Sequence, residues 1–401
     1  MVTCFFLYRR LSADTDNYTI VFGSPFLANG IPATAQQLCP VFIFYLDAPY
    51  RRSDSLSSVR SYHVIAIEPK IWYNSFRLQI YGKSYICSWP HYVDCFSTRR
   101  GKEKVKMNQY IDLHMHSTFS DDGEFTPAML VRQCKAAGVR VMSITDHNCV
   151  RGNAEARMEA EKNDIKYISG VEIDCRFNNK DFHLLGYGID WNSSDFATLE
   201  EHILSGERKA SLERLVLTRE LGFDLSATEL NAISNIDDEF GVWTGEVFAE
   251  VLLEKAKYFN HALLLPYRAG GKRANNPYAN FYWDYYSQGK PCYVEVDFPA
   301  IEDAIDIIRR NSGKSVLAHP GNNLKGQFEL FDEIVKTGID GVEVFCSYHD
   351  EKTAHYFYEQ ALKHSLIVTC GSDYHGKTKP SVRLGKTGCW ISPQEIEHQF
   401  W

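Results

Sequence analysis

From residue 107 onward, short apolar runs alternate with amphipathic stretches. Residues 110–115 form an apolar run that ends in histidines. Thr126 then fits a helix N-cap, Pro127 the first helical position and Gly138 the left-handed stop. Residues 139–145 read as the next strand and 153–163 as a charged helix. Residues 167–173 and 183–189 are further strands, and 301–310 is a helix with acids early and arginines late, as the macrodipole favours. Residues 315–318, 341–345 and 366–370 complete the strand set. Strands alternating with helices predict an α/β fold on a mostly parallel sheet or barrel.

The alternation breaks between residues 193 and 290. Residues 200–221 read as a long amphipathic helix stopped at Gly222, and Ser226 with Glu229 makes a capping box for the next. This predicts a helical insertion of about a hundred residues, an ordinary subdomain size.

Residues 1–106 differ. They are rich in aromatics, Ser and Cys, without sustained helical or strand periodicity, and hold no methionine after Met1. A basic stretch at 99–106 leads into Met107, where the regular pattern begins. The expectation is a poorly ordered extension, or upstream sequence translated ahead of a natural start at Met107.

Charge sharpens the contrast. Residues 1–106 carry 13 basic and 7 acidic side chains, the rest 30 and 44. An acidic body is no general nucleic-acid binder by bulk charge. If it handles phosphates, local cations must offset the repulsion, and bound metals would supply them. No apolar run reaches the roughly 18 residues of a membrane span, and the start has the reverse of a secretory signal's order, so a soluble, cytoplasmic protein is expected. The 11 cysteines are scattered, with no C-x-x-C pair, which argues against both a disulfide framework and a cysteine zinc site.

The chemistry sits at the predicted strand ends. Asp112, His114 and His116 alternate at the end of the first strand and would share one side. Asp121 follows five residues later. Asp146 and His147 close the second strand, Glu172 the third, and His183 lies on the fourth. His319 follows 316–318, and Asp373 and His375 follow the last strand. In a parallel barrel these ends share one face. Imidazoles and carboxylates in this proportion suit Mn2+, Zn2+ or Fe2+, and their number exceeds one tetrahedral shell, so two or three divalent metal ions are expected, with a carboxylate such as Glu172 bridging. Clustered metals generate hydroxide at neutral pH and neutralise phosphate oxygens as charge builds.

These residues resemble the polymerase and histidinol phosphatase (PHP) family. The stretches that carry the resemblance are YIDLHMHSTFSDDGEFTP (110–127), SITDHN (143–148), ISGVEID (168–174), FHLLGY (182–187), VLAHPG (316–321) and GSDYHG (371–376). The resemblance implies a distorted seven-stranded (β/α) barrel with a trinuclear centre held by His114, His116, Asp121, His147, Glu172, His183, His319, Asp373 and His375. The insertion and the stretch 289–321 resemble the family's stand-alone branch. That implies a nucleoside 3′,5′-bisphosphate phosphatase or 5′–3′ exonuclease acting by a metal-bridging hydroxide. A histidinol-phosphatase-like enzyme and a non-catalytic metal-binding module are the alternatives. The partners implied are phosphorylated small molecules, nucleotides or short oligonucleotides, with no membrane and no obligate protein partner evident.

Beyond the ligands, His183 or His319 could protonate the leaving oxygen. Asp112 either orients a histidine or caps the strand turn. Arg268, Lys272 and Arg273 form a basic loop that either holds a second phosphate or is simply solvated. The aromatic run 278–286 either stacks a base or packs the insertion. Glu343, Ser347 and His349 end another strand near the site, where they either support the ligands from behind or, for Glu343 and His349, contact substrate. Arg208, Lys209 and Arg383 are left open.

Overall fold

The computed structural model describes residues 110–234 and 242–400, together with six strands ahead of residue 104. The chain divides into two compact units, Met1–Glu103 and Lys104–Trp401. In the first, β1 (Phe5–Arg9), β2 (Tyr18–Gly23), β3 (Val41–Leu46) and β4 (Tyr62–Ile67) form an antiparallel meander. The strands β5 (Ser75–Ile80) and β6 (Lys83–Ser88) form a separate hairpin. No alternation announces β3, whose sequence VFIFYL is apolar at every position. Met107 and the basic stretch before it lie outside the described residues.

The second unit opens with β7 (Ile111–Asp112), α1 (Pro127–Ala137), β8 (Val141–Met142), α2 (Gly152–Lys162) and β9 (Lys166–Tyr167). The three strands pair in parallel, as the alternation predicts. The caps of α1 are those read from sequence: Thr126 Oγ1 accepts from the Met129 amide at 3.3 Å, and Gly138 has φ 87°.

The next pair departs from the mostly parallel expectation. β10 (Gly170–Phe177) and β11 (Lys180–Tyr187) are an antiparallel hairpin in full register. Asn178 and Asn179 form its turn at φ 48° and 59°, a left-handed pair that asparagine tolerates and whose twist matches a hairpin. β12 (Lys314–Leu317) adds antiparallel to β11, and β13 (Gly341–Cys346) and β14 (Ile367–Gly371) follow in parallel. The ladders therefore form a three-stranded and a five-stranded sheet rather than one closed seven-stranded barrel. The edges do meet. The Leu113 amide donates to the Cys370 carbonyl at 3.0 Å, the Asp373 amide to the His114 carbonyl at 2.8 Å, and His147 makes a single bridge to Glu172.

Between β11 and β12 lies the helical insertion: α3 (Ser194–Glu220), α4 (Ala227–Ser234), α5 (Gly245–Glu254) and α6 (Pro277–Tyr285). Ser226 and Glu229 cap α4 reciprocally. The insertion buries its own cluster around Phe248, Leu252, Phe281 and Tyr286, apart from the main core of Val171, Leu184, Ile305 and Phe345. Core packing is thus the role of Phe281 and Tyr286. α7 (Ile301–Arg310), α8 (Pro320–Asn323), α9 (Glu329–Lys336), α10 (Glu351–His364) and α11 (Pro393–Glu397) complete the unit. Among the described residues no helix is long and apolar enough to cross a membrane.

Candidate metal centre

β7 ends at Asp112, so His114 and His116 lie just beyond the strand. Both are fully buried, and β14 delivers Asp373 and His375 beside them. Close approach of the two segments depends on Gly371. A Cβ there would stand 2.1 Å from His114 Cβ and 2.6 Å from Glu343 Oε1. The backbone is bent at two of the candidate ligands, His319 at φ 25° and Asp373 at φ 57°. Non-glycine residues hold such angles only where surrounding structure imposes them, which is common at functional sites.

Among the described residues three overlapping groups have ligand atoms within 4.8 Å of one another: His114, His116, Glu172 and Asp373; His116, Asp122, His147 and His375; His147, Glu172 and His183. Glu172 is the hub. Its Oε2 lies 3.1 Å from His114 Nε2 and from His116 Nε2, and its Oε1 2.9 Å from His183 Nδ1 and 3.1 Å from His319 Nε2. One oxygen faces each flank, as a bridging carboxylate requires. Asp373 Oδ1 lies 3.3 Å from His114 Nε2 and 3.2 Å from His116 Nε2.

The donor set fits divalent cations. His116 Nε2, His147 Nδ1, His375 Nε2, Asp122 Oδ1 and Asp174 Oδ1 are buried without hydrogen-bond partners among the described residues. Buried polar atoms are seldom orphaned, and these turn toward one another. Burial pushes the His375 ring down to about 4, which leaves it neutral, as a ligand must be. Burial would lower His114 too, but Glu172, Glu343 and Asp373 together raise it well above its ordinary value. The attraction that draws protons onto these rings also favours metal ions. Asp373, whose burial alone would raise it, is held well below the carboxylate range by Lys379, then His375 and His114.

Several expectations are corrected. Asp121 is exposed and belongs to none of the three groups, whereas Asp122 faces the histidines with its Oδ2 3.1 Å from His375 Nε2. The tight turn from Ser120 to Gly123 swings the second aspartate inward, and from sequence the two adjacent acids were indistinguishable. Asp112 orients no ring. Its carboxylate accepts from the Ser372 amide at 2.8 Å and the Gly385 amide at 2.7 Å, so it caps the turn, and burial pushes it up to about 6 against those donors. Asp146 likewise turns away, accepting from Ser117 Oγ at 2.7 Å.

The orienting carboxylate is Glu343, fully buried and so no substrate contact. Its Oε1 accepts from His114 Nδ1 at 3.0 Å and its Oε2 from the His319 amide at 2.9 Å. His349 is spent on backbone: its Nε2 accepts from the Gly321 amide at 2.9 Å and its Nδ1 donates to the Val344 carbonyl at 2.8 Å. Arg268 caps carbonyls of Leu253 and Tyr258, and Arg273 grips Asp284 with two contacts of 2.9 Å. Lys272 is exposed. Ser347 donates to the Ser372 carbonyl. The basic loop therefore serves the insertion's own structure.

The sequence reading missed Asp174 and Lys379. Asp174 pairs across the hairpin with His183, and its Oδ1 lies 3.4 Å from both His147 and His183. Its signal was available: two residues after Glu172, it shares that residue's face of the strand. Lys379 Nζ lies 2.7 Å from Asp373 Oδ2, which also accepts from the Tyr348 hydroxyl. The centre opens into a cleft of about 590 Å3 between the strand ends and the insertion. Asp122, His147, Asp174, His183 and Lys379 line it from the centre's side, and Glu207, Arg214, Glu246 and Tyr282 from the insertion's.

Comparison with known proteins identifies the domain. The description of the PHP domain matches residues 112–265, which hold six of the candidate ligands. The chain carries a PHP domain. It is similar to a 3′,5′-nucleoside bisphosphate phosphatase of Chromobacterium violaceum, 28% identical over 69% of this chain and 91% of that one. It is also similar to the 5′–3′ exoribonuclease Rnm of Escherichia coli, 29% identical over 72% and 93%. A phosphoribosyl 1,2-cyclic phosphate 1,2-diphosphodiesterase of Eggerthella lenta is 27% identical over 66% and 94%. Among solved structures, an amidohydrolase of Chromobacterium violaceum with bound sulfate aligns over 72% of this PHP chain at TM-score 0.58 and 25% identity. The relatives it matches are named as a phosphatase, a phosphodiesterase and an exoribonuclease, and this chain joins to its PHP domain a cluster of residues that could hold metal ions.

Proposed function

We propose that the chain hydrolyses phosphate esters of nucleotides or short oligonucleotides, as a nucleoside 3′,5′-bisphosphate phosphatase or 5′–3′ exonuclease, with residues 107–401 as its functional unit. The observation that carries this reading is the ring of orphaned histidine and aspartate atoms at the mouth of a cleft of about 590 Å3. A cleft of that size takes a drug-sized or nucleotide-sized molecule. The two sheets, bridged at both edges, are read as halves of a distorted barrel.

His114, His116, Asp122, His147, Glu172, His183, His319, Asp373 and His375 would hold two or three divalent ions, Mn2+, Zn2+ or Fe2+, with Asp174 beside them. Such ions would supply a nucleophile at neutral pH and charge neutralisation for the phosphoryl oxygens. Glu343 fixes the His114 ring and the bend at His319. If His183 is not spent as a ligand, its quarter exposure at the cleft makes it a better candidate than the nearly sealed His319 to give a proton to the leaving oxygen. Lys379, held against Asp373 on the cleft wall, adds a fixed positive charge for phosphate.

A second reading has its own support. Asp181, Glu200, Glu207 and Glu250 line the same cleft, and such a wall suits an ammonium, as in histidinol phosphate. Phosphate release by the manganese-loaded protein from adenosine 3′,5′-bisphosphate, histidinol phosphate and a 5′-phosphorylated short RNA separates the readings, with His114→Ala as control. Turnover of the nucleotide or RNA, lost in the control, is expected. Turnover of histidinol phosphate alone would transfer the enzyme to the second reading, and none at all would leave a metal-binding module.

A further inference from the structure

The far wall of the cleft holds a cation that neither the metal centre nor the fold accounts for. Arg214 projects from α3, its guanidinium side chain only 10% exposed. Among the described residues one side chain pairs with it: Glu207, whose Oε2 accepts from NH1 at 2.6 Å while Oε1 sits a loose 3.5 Å from NH2. The Nε–H is buried with no partner among those residues. A guanidinium offers five donors in a planar fork, and a buried one left short of acceptors is costly. Both Arg214 and Glu207 line the cleft that opens from the candidate ligands. The other cleft cations are differently placed: Arg151 is tied to Glu200, Lys379 to Asp373 and Lys377 to Glu250.

We propose that Arg214 reads a second anionic group of the substrate, a phosphate remote from the one hydrolysed, and that Glu207 stands in for that group in the free enzyme. This rests on the nucleotide reading for the substrate's identity. The chemistry is an exchange of acceptors. A phosphate brings three oxygens in bidentate geometry, which can satisfy NH1, NH2 and the idle Nε together, whereas Glu207 satisfies the fork at one end only. Glu207, about a sixth exposed, can turn to water at modest cost once displaced. A substrate with a single phosphate would leave the pair intact and gain nothing from it. Arg214 thus discriminates between substrates instead of acting on the reacting atoms.

The two partners should respond with opposite signs, which a merely structural ion pair would not do. Full-chain protein with manganese is assayed on adenosine 3′,5′-bisphosphate and adenosine 3′-monophosphate, and binding of the bisphosphate to chelator-treated protein is followed by calorimetry. Arg214→Met should lower kcat/KM for the bisphosphate roughly ten- to a hundredfold, through KM, and leave the monophosphate unchanged, the scale of a lost charge-assisted hydrogen bond. Glu207→Gln should tighten bisphosphate binding several-fold. Equal losses on both substrates, or bisphosphate binding that Glu207→Gln weakens or leaves alone, would overturn the proposal. If Arg214→Met does not fold, Glu207→Gln decides alone. Wild-type protein that binds the bisphosphate with these opposite responses but hydrolyses neither nucleotide would keep the proposal and sink the nucleotide reading.

Discussion

Glu343 lies 3.0 Å from the Nδ1 of His114 through one oxygen, and 2.9 Å from the backbone amide of His319 through the other. One buried carboxylate thus sets both a ring orientation and a backbone bend. Carboxylates behind ligating histidines commonly govern metal affinity, by about ten- to a hundredfold. Glu343→Gln keeps the shape and one acceptor but weakens the hold on the ring. Metal retained after dialysis, read by elemental analysis, should fall by that order while the melting temperature of the chelated protein changes little. Unchanged metal retention would remove Glu343 from this role.

Asp121 and Asp122 are neighbours with opposite prospects. Asp122→Asn removes an inward oxygen from a group of four and should cost at least about a hundredfold in kcat, as losing a metal ligand does when it disables the site. Asp121→Asn, on the exposed side of the turn, should leave kcat within about threefold. Equal effects on manganese-dependent turnover would contradict the geometry.

Chelation should lower stability. The centre packs Asp122, Glu172, Asp174 and Asp373 beside orphaned ring nitrogens. Ligand that binds only the folded state adds about 2.7 kcal/mol at a hundred times its Kd, so added manganese should raise the melting temperature by several degrees and EDTA should reverse it. His116→Ala should flatten that response.

Gly371→Ala should be among the most damaging small substitutions in the chain. Its methyl would need the space of His114 Cβ, and overpacking of this kind costs about 1–3 kcal/mol or more. Gly138→Ala meets only open space and pays for its φ of 87° alone, about 1–2 kcal/mol. Denaturant midpoints should fall in both, but metal retention only in Gly371→Ala.

Arg273→Ala should cost about 1 kcal/mol of stability by freeing Asp284, a half-exposed pair, and leave kcat/KM unaltered. A specific loss of bisphosphate turnover would restore the basic loop as a substrate site.

Much of the site was legible because ligands at strand ends announce themselves by residue type and by a spacing of two. His114, His116, Asp373 and His375 were singled out that way, and Glu172 by its residue type at a strand end alone. What failed was direction. A pattern gives the position of Asp121 and Asp122 along the chain, but only the turn decides which faces inward. Glu343 lies on a strand buried along its whole length, where no alternation distinguishes the inward side. The β10–β11 hairpin was read as two independent strands because an Asn-Asn turn is a weaker signal than Asn-Gly. Arg214 is, in the sequence, one more charge on a long helix, and only its burial on the cleft wall sets it apart.

The hairpin carries Glu172, Asp174 and His183 within a dozen residues of one another, fastened by local pairing that forms early and needs little loop closure. Asp373 and His375 arrive two hundred residues later, when the segment after β14 docks beside His114. During synthesis, then, a nascent chain carries half a cage that cannot grip an ion firmly. On the proposed reading the chain gains its chemistry only when β14 closes on β7, so that hydrolytic activity would report on the finished tertiary circuit and not on any part of it.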